Sequence, residues 1–191
     1  MEQHLKEINN IGILLFGFTG SGKSTFCDYI KKRFGMGYVH VKRAFEKKYG
    51  VENAPLIYRN LINKYNDRSY YLNYLRSDLE YLKKNDMFVI EGLFTKHEVF
   101  WCTSFFNRKI VTVYIEIKND DLRFSRYMER EKKSISEAKV GFDLSDEKRK
   151  RLVVHSMKEH SDFILYNDHK KEVFFASIDM FMAEIMSKDI R

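Results

Sequence analysis

Short apolar segments alternate with longer segments of helical periodicity along the chain. Most of the short segments are rich in β-branched or aromatic residues, as is typical of strands buried in a parallel sheet. Such an alternation predicts helices packed on a mostly parallel sheet. The predicted strands are Ile11–Phe16, residues 38–41, 87–90 and 110–117, and Phe163–Tyr166. The predicted helices are Lys23–Phe34 and residues 56–64, 68–84, 120–132, 145–160 and 176–188.

The predicted helix over residues 68–84 has one apolar face. Its apolar residues recur at intervals of three and four, which places them on one side of a helix. Arg76, Lys83 and Lys84 fall on the opposite side, and we expect them to face solvent. The residues that this pattern predicts to be buried are Tyr71, Leu72, Leu75, Leu79 and Leu82.

A glycine-rich segment, GFTGSGKS, links the first predicted strand to the first predicted helix. Gly17, Gly22, Lys23 and Ser24 have the G-x-x-x-x-G-K-[ST] spacing of a P-loop. Glycines let the backbone curl with its N–H groups pointing inward, where a Cβ would obstruct phosphate oxygens. The alternative is a turn that only joins a strand to a helix. The order of strand, loop and helix favours phosphate binding.

The chemistry of a P-loop predicts the role of each polar residue in this segment. The helix that begins near Lys23 adds unpaired N–H groups and the positive end of its dipole. Lys23 is predicted to reach the β- and γ-phosphates, and the Ser24 hydroxyl is predicted to be a ligand of Mg²⁺. The predicted nucleotide-binding residues are Gly17, Thr19, Gly20, Ser21, Gly22, Lys23, Ser24 and Thr25.

A carboxylate follows the third predicted strand in the segment MFVIEG. Glu91 comes directly after four apolar residues, at the strand end where open α/β sheets bind their ligands. We predict that Glu91 holds Mg²⁺ through water or takes the proton of the acceptor. Gly92 is predicted to contact the acceptor. The alternative is a glutamate that is simply exposed at the end of a strand.

Three arginines lie at helical spacing after the fourth strand, in LRFSRYMER. Arg123, Arg126 and Arg130 fall on one helix face, where guanidinium groups can neutralise the charge of a transferring phosphoryl group. We predict Arg126 and Arg130 to be catalytic, together with Lys23 and Glu91. The alternative is a solvated basic face paired with nearby acidic residues, and it weighs most for Arg123.

Composition and charge indicate one globular domain with anionic ligands. The chain has 191 residues, of which 44% are hydrophobic and 32% are charged, so it is long enough to bury a sizeable core. Its two cysteines, Cys27 and Cys102, argue against a disulfide framework and a structural zinc site. A net charge of +7 favours anions such as nucleotides, nucleic acid or acidic lipid.

The length of the apolar run near the N-terminus indicates where the protein is expected to be located. The longest apolar run there is Ile11–Phe16, which is too short for the core of a signal peptide and for a membrane span. A chain with two widely spaced cysteines also fits a reducing compartment. We therefore expect a soluble cytoplasmic protein with no membrane partner.

Four segments together resemble the P-loop nucleoside monophosphate kinases, and most closely their dephospho-coenzyme A kinase-like branch. These segments are GFTGSGKST, VIEG, RYMER and SDFILYND, and the resemblance covers nearly the whole chain from Ile11. It implies a three-layer P-loop fold with a five-stranded parallel sheet, ATP on the P-loop and two pieces that close over the substrates. It also implies that Asn167 and Asp168 lie beside the adenine.

One segment departs from that family. In the dephospho-coenzyme A kinase branch an aspartate after the second strand is the base for the acceptor hydroxyl, whereas this chain has VHVKRAF there and no carboxylate before Glu46. A nucleoside monophosphate already presents a phosphate oxygen, so it needs positioning more than a base. We predict that Arg43 and Arg59 bind an acceptor phosphate. For either arginine the alternative is scattered surface charge.

These interpretations combine into one hypothesis. We expect a single P-loop kinase domain over residues 1–191, with its core at about residues 11–39, 67–131 and 152–191, an acceptor-binding insertion at about 40–66 and a lid at about 132–151. It is expected to use ATP and Mg²⁺ to phosphorylate a nucleotide or nucleotide-like acceptor, as a monomer or homodimer. The alternatives are a nucleotide-binding switch, a P-loop protein on nucleic acid, and a kinase-derived protein that binds ATP without turnover.

Overall fold

A five-stranded parallel sheet forms the centre of the molecule. The computed structural model describes residues 10–65, 67, 69–132, 134–151 and 154–187. The strands of this part are β1 (Ile11–Phe16), β2 (Gly37–His40), β3 (Met87–Glu91), β4 (Lys109–Glu116) and β5 (Phe163–Tyr166). Their order is β2-β3-β1-β4-β5, and every neighbouring pair is parallel. All five predicted strands are confirmed, with ends that differ by at most one residue.

Helices cover both faces of this sheet. They are α1 (Lys23–Phe34), α2 (Val41–Tyr49), α3 (Ala54–Tyr65), α4 (Arg76–Glu80), α5 (Lys96–Phe106), α6 (Asp120–Glu131), α7 (Ile135–Arg151), α8 (Ser156–Glu159) and α9 (Lys171–Ser187). Two short 3₁₀ helices, Tyr70–Leu75 and Tyr81–Lys84, flank α4. The predicted helix at Lys23–Phe34 is confirmed, and α6 ends one residue before its predicted end.

The alternation of side chains along β1 divides the core into two layers. Ile13 and Leu15 pack with residues of α1 and α9, whereas Leu14 and Phe16 pack on the other face with residues from α2 to α5. Because successive side chains of a strand point to opposite faces, a central strand covered on both sides is apolar at nearly every position. The carboxyl end of β1 is thereby fixed at the centre of the sheet, and the P-loop starts there.

The helix predicted over residues 145–160 is wrong. The structure has α7 at Ile135–Arg151 and the short α8 at Ser156–Glu159 instead. A capping box starts α7: the Ser134 backbone N–H donates to the Glu137 carboxylate at 3.3 Å, and the Glu137 N–H donates to the Ser134 hydroxyl at 3.4 Å. The helix was missed because it buries few residues, among them Ala138 and Phe142.

The region predicted as one helix over residues 68–84 is divided between α4 and the two 3₁₀ helices. Its buried face is nevertheless confirmed, since Tyr71, Leu72, Leu75, Leu79 and Leu82 are all at most 1% exposed. The helices α2 and α5 were not predicted. The predicted boundaries at residues 66, 68, 152 and 188 lie outside the described residues.

Both cysteines are buried in the core. Cys27 and Cys102 are present as free thiols, and burial raises the pKa of each. Within the described ranges, no helix has both the length and the apolar character that crossing a bilayer requires.

Candidate active site

The P-loop has the curled conformation that its glycines predict. It follows β1, and Gly22 is the N-cap of α1. Gly20 has a φ of +75°, and a Cβ added there would lie 2.4 Å from the carbonyl oxygen of Arg123. A side chain at this position would therefore meet both backbone strain and a neighbouring backbone that cannot easily move. Glycine at position 20 lets the loop pass directly against α6.

Lys23 lies at the centre of the P-loop and is nearly buried. Its ammonium donates to the carbonyl oxygens of Gly17 at 2.9 Å and Phe18 at 2.7 Å. Burial is the main cause that lowers the pKa of Lys23 to about 7; the positive charges of Arg149 and Arg130 contribute to this shift, and Glu91 opposes it. A cation held at this cost is stabilised when a polyphosphate binds beside it.

Glu91 and Ser24 lie together at the ends of β3 and the P-loop. The Ser24 hydroxyl donates to Glu91 Oε1 at 3.1 Å, and the Tyr38 hydroxyl donates to Glu91 Oε2 at 2.9 Å. The glutamate is only 4% exposed, which excludes the alternative of a carboxylate simply exposed at a strand end. Its cleft also contains His40, whose pKa burial lowers.

The oxygen atoms of Ser24 and Glu91 fit the needs of Mg²⁺. This ion is commonly held by one or two protein oxygens, with phosphate oxygens and waters completing its shell. In the described part of the chain, no group of three or more histidine, cysteine, aspartate and glutamate side chains is arranged as a metal site.

Arg123 connects the P-loop to two helices. Its guanidinium donates to the carbonyl oxygen of Thr19 at 3.0 Å, to Asp146 of α7 at 2.6 Å and to Asp120 at 2.8 Å. The side chain is buried between the rings of Phe18 and Phe142. Arg123 is thus neither a solvated surface residue nor free to contact a phosphate, and it holds α6 and α7 against the loop.

The other two predicted arginines of α6 have different surroundings. Arg126 donates to the carbonyl oxygens of Asn167 at 2.9 Å and His169 at 3.1 Å, in the loop after β5. Arg130 is exposed and pairs with Glu131 at 2.8 Å, although its charge is close enough to lower the pKa of Lys23. Arg130 therefore contributes to the lowered pKa of Lys23, whereas Arg126 is not among the causes of that shift. The catalytic role of both stays a prediction.

The segment after β5 contacts the P-loop directly. The Asn167 side-chain amide donates to the carbonyl oxygen of Ser21 at 2.9 Å, and the Asn167 N–H donates to the carbonyl oxygen of Glu116 at 2.8 Å. Asp168 accepts the N–H of Lys118 at 2.7 Å. This loop is therefore joined to the backbone of the P-loop. The expected place of Asn167 and Asp168 beside an adenine stays a prediction.

The predicted acceptor residues are only partly brought together. A Cβ on Gly92 would lie 3.4 Å from the His40 imidazole, so the two residues are neighbours. Arg43 is exposed, and its charge lowers the pKa of His40 after the larger effect of burial. Arg59 is exposed on α3, and no contact between it and the surroundings of Glu91 is found among the described residues. Arg43 therefore lies near the site, while a role for Arg59 has no support in the contacts.

Arg149 of α7 is a site residue that sequence reasoning missed. It is the largest influence after burial on the lowered pKa of Lys23. Its Nη1 donates to the carbonyl oxygen of Ser145 at 3.2 Å, while its Nε is buried without a partner among the described residues. Ser145 also hydrogen-bonds Thr19 of the P-loop, at 2.6 Å between the two hydroxyl oxygens. The capping box that starts α7 was the available signal, since it fixes which helix Arg149 belongs to.

Comparison with known proteins gives the fold and a family match. A family model described as an AAA domain matches residues 13–152. Among solved structures, an uncharacterized protein from Eubacterium ventriosum ATCC 27560 has a TM-score of 0.60 at 18% identity, covering 93% of this chain and 99% of the other. A gluconokinase from Sinorhizobium meliloti 1021 has a TM-score of 0.60 at 12% identity, covering 93% and 94%.

A third solved structure is similar over a comparable length. The shikimate kinase from Bacteroides thetaiotaomicron has a TM-score of 0.54 at 16% identity, covering 93% of this chain and 99% of the other. No curated protein matches the chain. At these identities the likenesses establish the fold alone, and they confirm the predicted three-layer P-loop fold with a five-stranded parallel sheet.

Proposed function

This chain belongs to the AAA domain family, and from that premise we propose that it is a small-molecule kinase. It transfers the γ-phosphoryl group of ATP to a nucleotide or nucleotide-like acceptor. The observation that carries the proposal is the convergence of Lys23, Arg149 and the Ser24–Glu91 pair at the carboxyl ends of β1 and β3. Cations and hard oxygen ligands at one point are what phosphoryl transfer requires.

The donor phosphates are bound by backbone and cations together. The curled P-loop offers N–H groups and the start of α1 to the β- and γ-phosphates. Lys23 exchanges its present carbonyl partners, Gly17 and Phe18, for phosphate oxygens. Arg149 brings a half-buried guanidinium whose buried Nε has no partner among the described residues, so an anion would satisfy it.

Glu91 and the cations of the site would act in the transfer step itself. Ser24 and Glu91 would hold Mg²⁺, which would draw charge from the phosphates when bound. In the transfer, an acceptor oxygen forms a bond to the γ-phosphorus while the bond to the β–γ bridging oxygen breaks and leaves its electron pair on ADP. Lys23, Arg149 and Arg130 neutralise the charge that spreads over the phosphoryl oxygens. No covalent intermediate on the protein is expected.

The adenine side and the choice of nucleotide follow from the loop after β5. Asn167 and Asp168 line the segment that contacts Ser21, and Arg126 fixes its carbonyl groups. We propose that backbone groups of this segment contact the adenine. The chain shows no NKxD-type guanine-reading segment, because YNDHK around Asn167 has a different order of residues. ATP is therefore the preferred donor over GTP.

An assay for ADP release tests the proposal. ATP and Mg²⁺ are supplied with a panel of nucleoside monophosphates, deoxynucleotides and dephospho-coenzyme A, and ADP formation is coupled to a colour change. We expect at least one acceptor to raise ADP release well above the rate without acceptor. ATP binding without ADP release for any acceptor would instead favour a nucleotide-binding switch, and absence of ATP binding would contradict the proposal.

A further inference from the structure

Lys148 lies on α7 between two aromatic rings on the acceptor side of the site. Its ammonium nitrogen is 5.7 Å from the centre of the Tyr58 ring and 5.9 Å from the centre of the Phe94 ring. Both distances are within the range of a cation–π contact. The cation is thus placed between α3 and the loop that follows Glu91, and the residue stays exposed to solvent.

Phe94 is an anchored wall of this cleft. Its backbone N–H donates to Glu98 Oε2 at 2.6 Å, and the Thr95 N–H donates to the same oxygen at 2.6 Å. The other oxygen of Glu98 accepts the Tyr71 hydroxyl at 2.5 Å. Glu98 and Tyr71 are buried, so the loop that carries Phe94 is joined to the core and gives Lys148 a defined surface to contact.

Positive charge is in surplus around Lys148. Although the side chain as a whole is exposed, partial burial of its ammonium lowers the pKa of Lys148, and the charges of Arg149 and Lys42 lower it further. Lys42 has Glu46 as a partner at 3.2 Å, whereas Lys148 forms no ion pair with a carboxylate in the described ranges. A cation that lacks a carboxylate partner and lies beside other cations attracts an anionic ligand. Its natural occupant is an oxyanion.

Lys148 and Arg149 are consecutive residues whose charged groups both lie near the Phe94 ring. The Arg149 guanidinium carbon is 6.0 Å from the centre of the Phe94 ring, and its charge acts on Lys23 in the P-loop. Lys148 contacts the same ring but reaches toward Tyr58. One turn of α7 therefore carries a cation for the donor phosphates and a cation for the acceptor.

We propose that Lys148 selects acceptors that carry an oxyanion, a phosphate or a carboxylate, and that its ammonium binds this group at the mouth between Tyr58 and Phe94. The inference rests on the proposed function, because it concerns the second substrate of that reaction. Since Lys148 and Arg149 share one turn of helix, a bound acceptor oxyanion also holds Arg149 over the donor phosphates. Binding of each substrate therefore favours binding of the other.

The test uses the full chain saturated with a non-hydrolysable ATP analogue and Mg²⁺, so that the P-loop is filled before any anion is added. Inorganic phosphate and acetate are titrated separately by calorimetry at constant ionic strength, which distinguishes a phosphate site from a carboxylate site. We expect the wild-type chain to bind at least one of the two anions. Lys148→Met should bind it about tenfold more weakly, because a charge-assisted hydrogen bond is lost.

Two further variants serve as controls. Lys148→Arg keeps the positive charge and should retain most of the affinity for the anion. Lys150→Met removes an exposed cation two residues further along α7, and it should change the affinity by less than about twofold. Equal weakening in Lys148→Met and Lys150→Met would mean that only net charge matters, and it would overturn the role of Lys148.

The dissociation rate of a fluorescent ATP analogue reports on the coupling. Labelled analogue is displaced by excess unlabelled ATP, with and without the anion that binds. The anion should slow dissociation in the wild-type chain and leave it unchanged in Lys148→Met. If no anion binds to the chain loaded with the ATP analogue, or if the anion slows dissociation equally in the wild-type chain and Lys148→Met, the role of Lys148 is overturned and the proposed function still stands. Failure of the analogue itself to bind would contradict the proposed function, and the inference would fall with it.

Discussion

The P-loop side and the acceptor side of the site are built in opposite ways. On the P-loop side, Lys23, Arg123 and Asn167 are buried, and each donates to backbone carbonyls of the loop itself. On the acceptor side, Arg43 and Lys148 are exposed cations with no carboxylate partner in the described part of the chain. Under the proposed function, the fold would preorganise the donor site, whereas the acceptor site would obtain part of its order from the substrate.

This difference predicts how substitutions will behave. A change on the P-loop side removes a group that both the fold and the chemistry use, because buried polar groups left without partners are costly. A change on the acceptor side removes a solvated charge, which costs little stability. Substitutions on the P-loop side are therefore expected to lower both stability and activity. Substitutions on the acceptor side are expected to change the choice of acceptor and leave stability nearly unchanged.

The largest effect is expected from Lys23→Ala. Removing the central cation should lower phosphoryl transfer on the order of 10²- to 10³-fold, since a buried charge aimed at the phosphates is lost. ADP release with the best acceptor of the panel measures it. Lys32→Ala, an exposed position on the same helix, is the matched control and should keep full activity. A Lys23→Ala protein that still turned over normally would contradict the assignment of the P-loop.

A pair of glycine substitutions measures how tightly the P-loop is packed. Gly20 and Gly35 both have positive φ, at +75° and +66°, but a Cβ would meet the Arg123 backbone at Gly20 and nothing within 4 Å at Gly35. Gly35→Ala should cost about 1 kcal/mol of unfolding free energy from backbone strain alone. Gly20→Ala should cost about 2–4 kcal/mol and weaken ATP binding. Urea denaturation compares them, and equal costs would mean that the contact between the loop and α6 is loose.

The two predicted acceptor arginines should separate in kinetics. Arg43→Gln is expected to raise the KM for the acceptor about fivefold with kcat little changed, because Arg43 lies beside His40 and the reaction site. Arg59→Gln should leave both values unchanged, since no contact links it to that site among the described residues. Steady-state kinetics with the best acceptor distinguish them. The reverse outcome would assign acceptor binding to Arg59 and contradict the placement of Arg43 at the site.

The smallest expected effect is a pH dependence of donor binding. The lowered pKa of Lys23, about 7, means that much of this residue is neutral at pH 8 in the free protein. Phosphates favour the charged ammonium and raise its pKa, so binding of an ATP analogue at pH 8 should take up a proton at Lys23. Calorimetry in buffers of different ionisation enthalpy counts the proton. The uptake should be lost in Lys23→Met, and its persistence there would assign it to another group.

The P-loop side could be predicted from sequence because local rules determine it. The spacing of Gly17, Gly22, Lys23 and Ser24 fixes a backbone shape, and the run before Glu91 reads as a buried strand. Short apolar runs between segments of helical periodicity indicated all five strands, and their ends were predicted to within one residue. Motif and strand together determine where the chemistry lies.

The acceptor side could not be predicted in the same way because tertiary contacts determine it. Arg149 and Lys148 lie in a polar helix whose hydrophobic periodicity is weak, and the sequence placed that helix ten residues too late along the chain. Arg123 was read as surface charge because its partner, Asp146, is distant in sequence. Nothing in the spacing of Arg59 could show that, among the described residues, it makes no contact with the surroundings of Glu91.

A crystal structure of the chain with a non-hydrolysable ATP analogue and Mg²⁺ tests the central claim most directly. The account predicts that the β- and γ-phosphates lie within hydrogen-bond distance of the P-loop amides and Lys23, with the Arg149 guanidinium on the γ-phosphate and the metal beside Ser24. An analogue bound elsewhere, or a P-loop whose amides face away from the phosphates, would contradict it.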